Sequence, residues 1–184
     1  MRYEVNPVLS RFTLKVYATG MLSAFGHSPT IVARDFSGQV TVPDDQSDSA
    51  SMDLVIKAAS LKVSDDVKES DRREIEKIMY KDVLEVDTYP EVTFTSTEVT
   101  GATPGAGSFR VTIMGTLTLH GTSHPQQIDA QVNVMGDRLT ANGQFKVRQS
   151  DYGIKPVSIA GGTLKLKDEI DLSFDIVARA KQVA

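Results

Sequence analysis

The stretch that most limits what this chain can become runs from Phe109 to Val134, FRVTIMGTLTLHGTSHPQQIDAQVNV. Phe109, Val111 and Ile113 alternate with Arg110 and Thr112, the period of a strand with one buried face. Gly115 interrupts, and Leu117 and Leu119 then resume the alternation. A glycine inside a strand marks a bulge or a sharp bend, so Gly115 is expected to bend this one. Gly121 to Pro125 supplies a turn, and Ile128, Ala130, Val132 and Val134 alternate on the way back. Each arm holds about ten residues or more and spans roughly 33 Å at strand rise, against a usual strand of about five or six residues. Long antiparallel strands of this kind build a tall barrel, and a tall barrel has an inside.

The rest of the chain continues the pattern. Phe12, Leu14, Val16 and Ala18 alternate in a first strand after Asn6-Pro7. Thr30 to Val42 reads as a second strand bent near Gly38, and Met52, Leu54 and Ile56 as a third. Strands resume after Tyr89-Pro90 with Val92 and Phe94. Gly136-Asp137 makes a two-residue turn into Leu139 to Val147, and Ile170 to Ala178 closes the chain with its cleanest alternation. About eight strands without a repeating strand–helix order point to an all-β, antiparallel, eight-stranded barrel.

One region has helical period, within Lys62 to Leu84. Ile75, Ile78, Met79 and Val83 share one face, Asp66 is placed to cap, and Glu69 and Arg73 are spaced for an ion pair. This inserted amphipathic helix, over residues 66–83, has two readings. It is a surface helix lying over one end of the sheet, or a lid over a barrel mouth.

With 184 residues and no linker, repeat or low-complexity segment, the chain reads as a single domain over 1–184. A net charge of −4 without a basic run argues against nucleic acid as a partner. Cysteine is absent, which removes disulfides, thiolate zinc sites and cysteine nucleophiles. No stretch approaches the roughly 18 apolar residues of a membrane-spanning helix. The first twenty residues show no signal-peptide pattern, so a chain beginning naturally at Met1 is expected in the cytoplasm, and a processed form in the periplasm.

Several blocks together resemble the YceI-like family of lipocalin-like barrels. They are Phe36-Ser37-Gly38, then Asp87-Thr88-Tyr89-Pro90-Glu91-Val92-Thr93-Phe94, then Gly115-Thr116-Leu117-Thr118-Leu119-His120-Gly121 with Pro125, then Asp151-Tyr152-Gly153-Ile154, and finally Asp168-Glu169-Ile170-Asp171-Leu172. They keep the family's order and cover nearly the whole chain. The resemblance implies a hydrophobic tunnel that binds a long amphiphilic chain, such as a polyisoprenoid, a quinone-like molecule or a fatty acyl chain, for sequestration or transport. It brings no shared catalytic motif. The chain departs from the family's usual form around Ser23 to Pro29 and in its charged helix.

The inward-facing set expected to line such a tunnel is Phe12, Leu14, Phe36, Leu54, Phe94, Leu117, Phe145, Leu172 and Phe174. The alternative is that these side chains simply fill the barrel, since eight-stranded barrels do either. Burying each CH₂ of a ligand contributes about 0.8 kcal/mol, so ten carbons give roughly 8 kcal/mol before association costs. His27 follows Phe25-Gly26 in a partly apolar loop and is placed to meet a ligand headgroup at the mouth. His120 and His124 flank a turn and read as polar loop residues rather than metal ligands. No nucleophile elbow, phosphate-binding loop or dinucleotide fingerprint occurs, so no catalytic residue, metal or cofactor is assigned. The leading function is a binding protein for a hydrophobic small molecule, with room for a homodimer. The alternatives are an enzyme on the same barrel using His27 for acid–base chemistry, and a filled barrel acting as a protein-interaction module.

Overall fold

The structure is a computed structural model that describes residues 1–19, 28–44, 49–64, 67–102, 107–159 and 164–181. The first wall strand is broken in two, β1 (Arg2–Val5) and β2 (Arg11–Lys15), with a two-residue continuation β3 (Ala18–Thr19). The next is also broken, into β4 (Thr30–Ala33) and β5 (Phe36–Thr41), and so is the third, into β6 (Ser51–Lys57) and β7 (Leu61–Val63). The helix α1 (Glu69–Ile78) follows and runs into a wider π-helical turn, Met79–Val83. Four long strands come next: β8 (Glu91–Thr100), β9 (Gly107–Leu119), β10 (Thr122–Met135) and β11 (Arg138–Arg148). After a 3₁₀ turn at Gln149–Tyr152 come β12 (Ser158–Ile159), β13 (Leu164–Leu166) and the closing β14 (Glu169–Ala180).

Eight strands pair in the order β1, β5, β6, β8, β9, β10, β11, β14, and β14 returns to β1 through Tyr3–Ala180 and Val5–Ala178. Every one of these pairings is antiparallel, so the wall closes as the sequence predicts. Closure leaves no free edge over that half of the barrel. The Gly136-Asp137 turn connects β10 to β11, with Met135 opposite Arg138. It marks the lower end, where Tyr3 is 1% exposed and its hydroxyl donates to the Gly136 carbonyl at 3.2 Å.

The opposite, upper end is where the wall opens. There β14 pairs with β2, β2 with β4, and β4 with β7, forming a leaf that β8 does not join. The free edge of β7 is met by side chains of the helical segment instead. The Val63 N–H donates to Glu76 Oε1 at 3.0 Å, Tyr80 Oη donates to the Leu61 carbonyl at 2.5 Å, and Arg72 donates to the Val63 carbonyl. The helix is thus a piece of wall spliced between β7 and β8. Its Glu69–Arg73 pair forms at 3.0 Å. It starts at Glu69, with Lys68 as the first boundary residue, and Lys62 belongs to β7. The expected cap, Asp66, lies outside the described residues.

Three expectations shift. The turn between β9 and β10 is only His120-Gly121, with φ of 51° and 70°, and Pro125 already sits in the ladder opposite Thr116. Positive φ at both central residues is the geometry that follows the twist of the flanking strands. The second strand breaks at Arg34-Asp35 rather than at Gly38. Gly115 keeps ordinary strand geometry, and the bulge lies on its neighbour. Thr97 is an extra residue between the pairs Ser96–Gly115 and Glu98–Met114.

Candidate functional site

Alternation along the long strands sends one side chain in two into the barrel. About halfway up, those side chains are aromatic. Phe12, Phe36, Phe94 and Phe174 are all buried, with Phe12 edge-on to Phe36 at 4.8 Å between ring centroids and 6.3 Å from Phe174. Two glycines make room for them. A Cβ on Gly115 would sit 2.3 Å from Phe94 Cζ, and one on Gly143 would sit 2.7 Å from Phe174 Cζ. The rings form a waist that separates two internal spaces.

Below the waist the free volume is small, about 40 Å³, among Val40, Met52, Val111, Ile113, Val132 and Ile176. Above it lies a chamber of about 330 Å³. Strand residues Leu14, Ile31, Ile56, Leu61, Val92, Leu117, Leu119, Val147, Ile170 and Leu172 form most of its wall. The helical segment supplies Ile75, Ile78, Met79, Val83 and Leu84, and the segment after β11 supplies Ile154 and Val157. Among the described residues that line it, Gln149 and Lys165 are the only polar ones. An apolar concavity of this size with very few polar groups is what small-molecule sites usually are.

The expected lining set divides accordingly. Leu14, Leu117 and Leu172 face the upper chamber. Phe12, Phe36, Leu54 and Phe94 are buried in the core at the waist, with Leu54 opposite Phe94, and do not reach the open volume. Phe174 borders the lower space. Phe145 lies opposite Leu172 and packs against the core without reaching either space. His27 lies outside the described residues, so the headgroup and acid–base roles expected of it have no geometry to test them. Alternation finds inward residues but not height along the barrel, so it merged waist and chamber.

The helix face was legible from its period, and all four of its expected residues reach the chamber. Gln149 was not singled out. Its only signal is a position directly after an alternating strand, next to the Asp151-Tyr152-Gly153-Ile154 block.

Around the upper rim a polar cluster ties the connections together. His120 Nε2 bonds Glu85 Oε2 at 2.5 Å, and its Nδ1 lies 3.2 Å from the Tyr152 carbonyl. Tyr89 packs against the His120 ring at 4.4 Å between centroids, tilted by 57°, and His124 meets the Tyr152 ring edge-on at 5.2 Å. The His120 side chain is 13% exposed, so this polar turn residue is a partly buried tie. A Cβ on Gly121 would come within 2.5 Å of the Tyr89 ring, which explains a glycine there. Among the described residues no group of three or more His, Cys, Asp or Glu is placed to share a metal ion.

A second tie fixes the 3₁₀ turn at Gln149–Tyr152. Asp168 accepts from the Ser150 N–H at 2.7 Å, from Ser150 Oγ at 2.5 Å and from Arg148 Nε at 3.4 Å. The Ser150 hydroxyl, more than any other neighbour, holds the Asp168 carboxyl below its ordinary value. A carboxyl depressed in the folded state stabilises above its unfolded value and loses that contribution as pH falls through the folded value. Asp168→Asn is therefore expected to be less stable than wild type at neutral pH. The gap should close as the pH drops below the ordinary carboxylate range. Denaturant melts of both proteins across that range check this, and a gap independent of pH would contradict it.

The family model of the YceI-like domain matches residues 3–178. A UPF0312 protein of Pseudomonas savastanoi pv. phaseolicola is 30% identical over 152 residues, covering 79% of this chain and 72% of the relative. One from Pseudomonas putida strain W619 is 29% identical over 145 residues, covering 75% and 70%. Two solved structures share the fold. BcnA of Burkholderia cenocepacia superposes with a TM-score of 0.70 at 19% identity, covering 94% of this chain and 98% of that one. A polyisoprenoid binding domain from Saccharophagus degradans, described as implicated in plant cell wall breakdown, superposes with a TM-score of 0.72 at 16% identity, covering 97% and 98%.

Proposed function

This chain belongs to the YceI-like family, and on that premise we propose that it binds one long-chain apolar ligand, of isoprenoid or fatty acyl type, for sequestration or transport. The observation that carries the reading is the upper chamber, about 330 Å³ of space whose lining, among the described residues, is apolar except for Gln149 and Lys165. A barrel with no ligand to hold would gain by filling that space, because empty apolar volume forfeits packing contacts. The lower half of this same barrel shows such filling, with only about 40 Å³ left.

The likeness to a polyisoprenoid binding domain supports the same ligand class. The tail lies against Leu14, Leu117 and Leu172, and the aromatic waist sets how deep it goes. The polar end points to the upper rim. Among the described residues the chamber offers no buried cation, since Lys165 is exposed at its edge, so a charged headgroup inside would meet no partner from them and carry a large desolvation cost. The test is organic extraction of the purified native protein followed by mass spectrometry. Recovery of a long-chain species near one per protein is expected. Clean extracts from several expression hosts would overturn the reading.

A further inference from the structure

We propose that the Gln149 side chain is a hydrogen-bonding stop at the top of the chamber and that the ligand is a long-chain alcohol, whose terminal hydroxyl donates to Gln149 Oε1. This rests on reading the chamber as a ligand site.

Gln149 is the one polar residue buried among the described residues, at 4% exposed, and it lines the chamber. Its Nε2 donates to the Lys167 carbonyl at 3.0 Å. A carbonyl oxygen only accepts, so the amide nitrogen must face Lys167 and Oε1 must face away from it. No described residue donates to Oε1. Yet no sealed side-chain oxygen or nitrogen lacks a partner among the described residues, so Oε1 is not sealed. Gln149 borders the chamber, which offers Oε1 a space to meet.

The backbone around it is fixed. The Gln149 N–H donates to the Asp168 carbonyl at 2.9 Å, and its own carbonyl accepts from the Ile154 N–H at 3.1 Å. Asp168 also holds Ser150 by two further bonds. The acceptor is thereby preorganised, which lowers the ordering cost of binding.

A free acceptor in an apolar chamber selects a donor. A carboxylate or a phosphate ester anion has no proton to give Oε1 and would bring an unpaired charge into the chamber. A hydrocarbon would leave Oε1 unpaired. A hydroxyl donates to Oε1 and still has lone pairs for the second Nε2 hydrogen.

The experiment compares geranylgeraniol with its methyl ether, which cannot donate, by displacement of a fluorescent long-chain probe from wild type and from Gln149→Met. Wild type should bind the alcohol about fivefold more tightly than the ether, the worth of one net hydrogen bond. Gln149→Met should bind the two alike. A structural loss at Gln149 would weaken both compounds together and leave the ratio unchanged. Equal binding of alcohol and ether by wild type, or a preference that survives in the folded variant, overturns the proposal while the ligand-site reading stands. Failure of wild type to bind either compound overturns both. Should Gln149→Met not fold, the wild-type ratio alone decides: near one sinks the proposal, about fivefold supports it.

Discussion

Gly115→Val is expected to lower the stability of this protein by about 3 kcal/mol, a fall in melting temperature of about 6–12 °C for a chain of this length. The first new carbon would sit 2.3 Å from Phe94 Cζ, 2.7 Å from Phe94 Cε2 and 2.7 Å from the Thr95 carbonyl oxygen. The carbonyl belongs to the paired strand β8 and cannot retreat without breaking its ladder. The ring can retreat only by leaving the waist, where it is 4% exposed. Both routes are costly, because a core at crystal-like density has no slack to absorb three extra carbons and a shifted ring. The partner of the clash is identifiable, so a second substitution tests the cause. Phe94→Ala alone should cost about 3–5 kcal/mol. Combined with Gly115→Val it should cost less than the sum by about 1 kcal/mol or more. A melting temperature unchanged by Gly115→Val, or strictly additive losses, would show that the glycine serves some other end.

Leu172→Asp is expected to weaken binding of a long-chain probe by about a hundredfold or more while leaving the barrel folded. Leu172 lines the chamber between Leu14 on β2 and Phe145 on β11. Losing a leucine's contact with the ligand removes about 1.5–3 kcal/mol. A ligand that also strips water from a carboxylate with no cation beside it adds more, and about 3 kcal/mol is already roughly a hundredfold in affinity. In the free protein the new carboxylate faces an open chamber that can admit water, so folding suffers less than binding. Leu172→Trp is the uncharged companion. It fills the chamber, and should block the probe with little loss of stability. Phe145→Asp is the contrasting site. Phe145 packs against the core and does not touch the open volume, so its charge should show first as lost stability.

The wall of this barrel was readable because burial imposes a period of two on every long strand, and β9 and β10 carry it for 13 and 14 residues. The helix was readable for the matching reason, with Ile75, Ile78, Met79 and Val83 turned to one side. What alternation cannot carry is position along the barrel axis. Phe94 and Leu117 stand opposite each other and both point inward, yet one plugs the waist and the other faces free volume. That difference depends on ring size and on the glycine packed against the ring, Gly115. The sequence presents that glycine as an interruption, and only the packing explains it. Gln149 was hidden differently. Glutamine is ordinarily a surface residue, and nothing local marks this one as buried. Its burial follows from the turn it begins and from the Lys167 carbonyl, 18 residues away, that takes its amide hydrogen.

The most direct test of the chamber as a ligand site is a titration of one fluorescent long-chain alcohol probe, uncharged at its head, into wild type and folded Leu172→Asp, side by side. Wild type is expected to saturate at one probe per chain, with no saturable signal from the variant at the same concentrations. A wild type that never saturates, or a folded variant that saturates as wild type does, would contradict it.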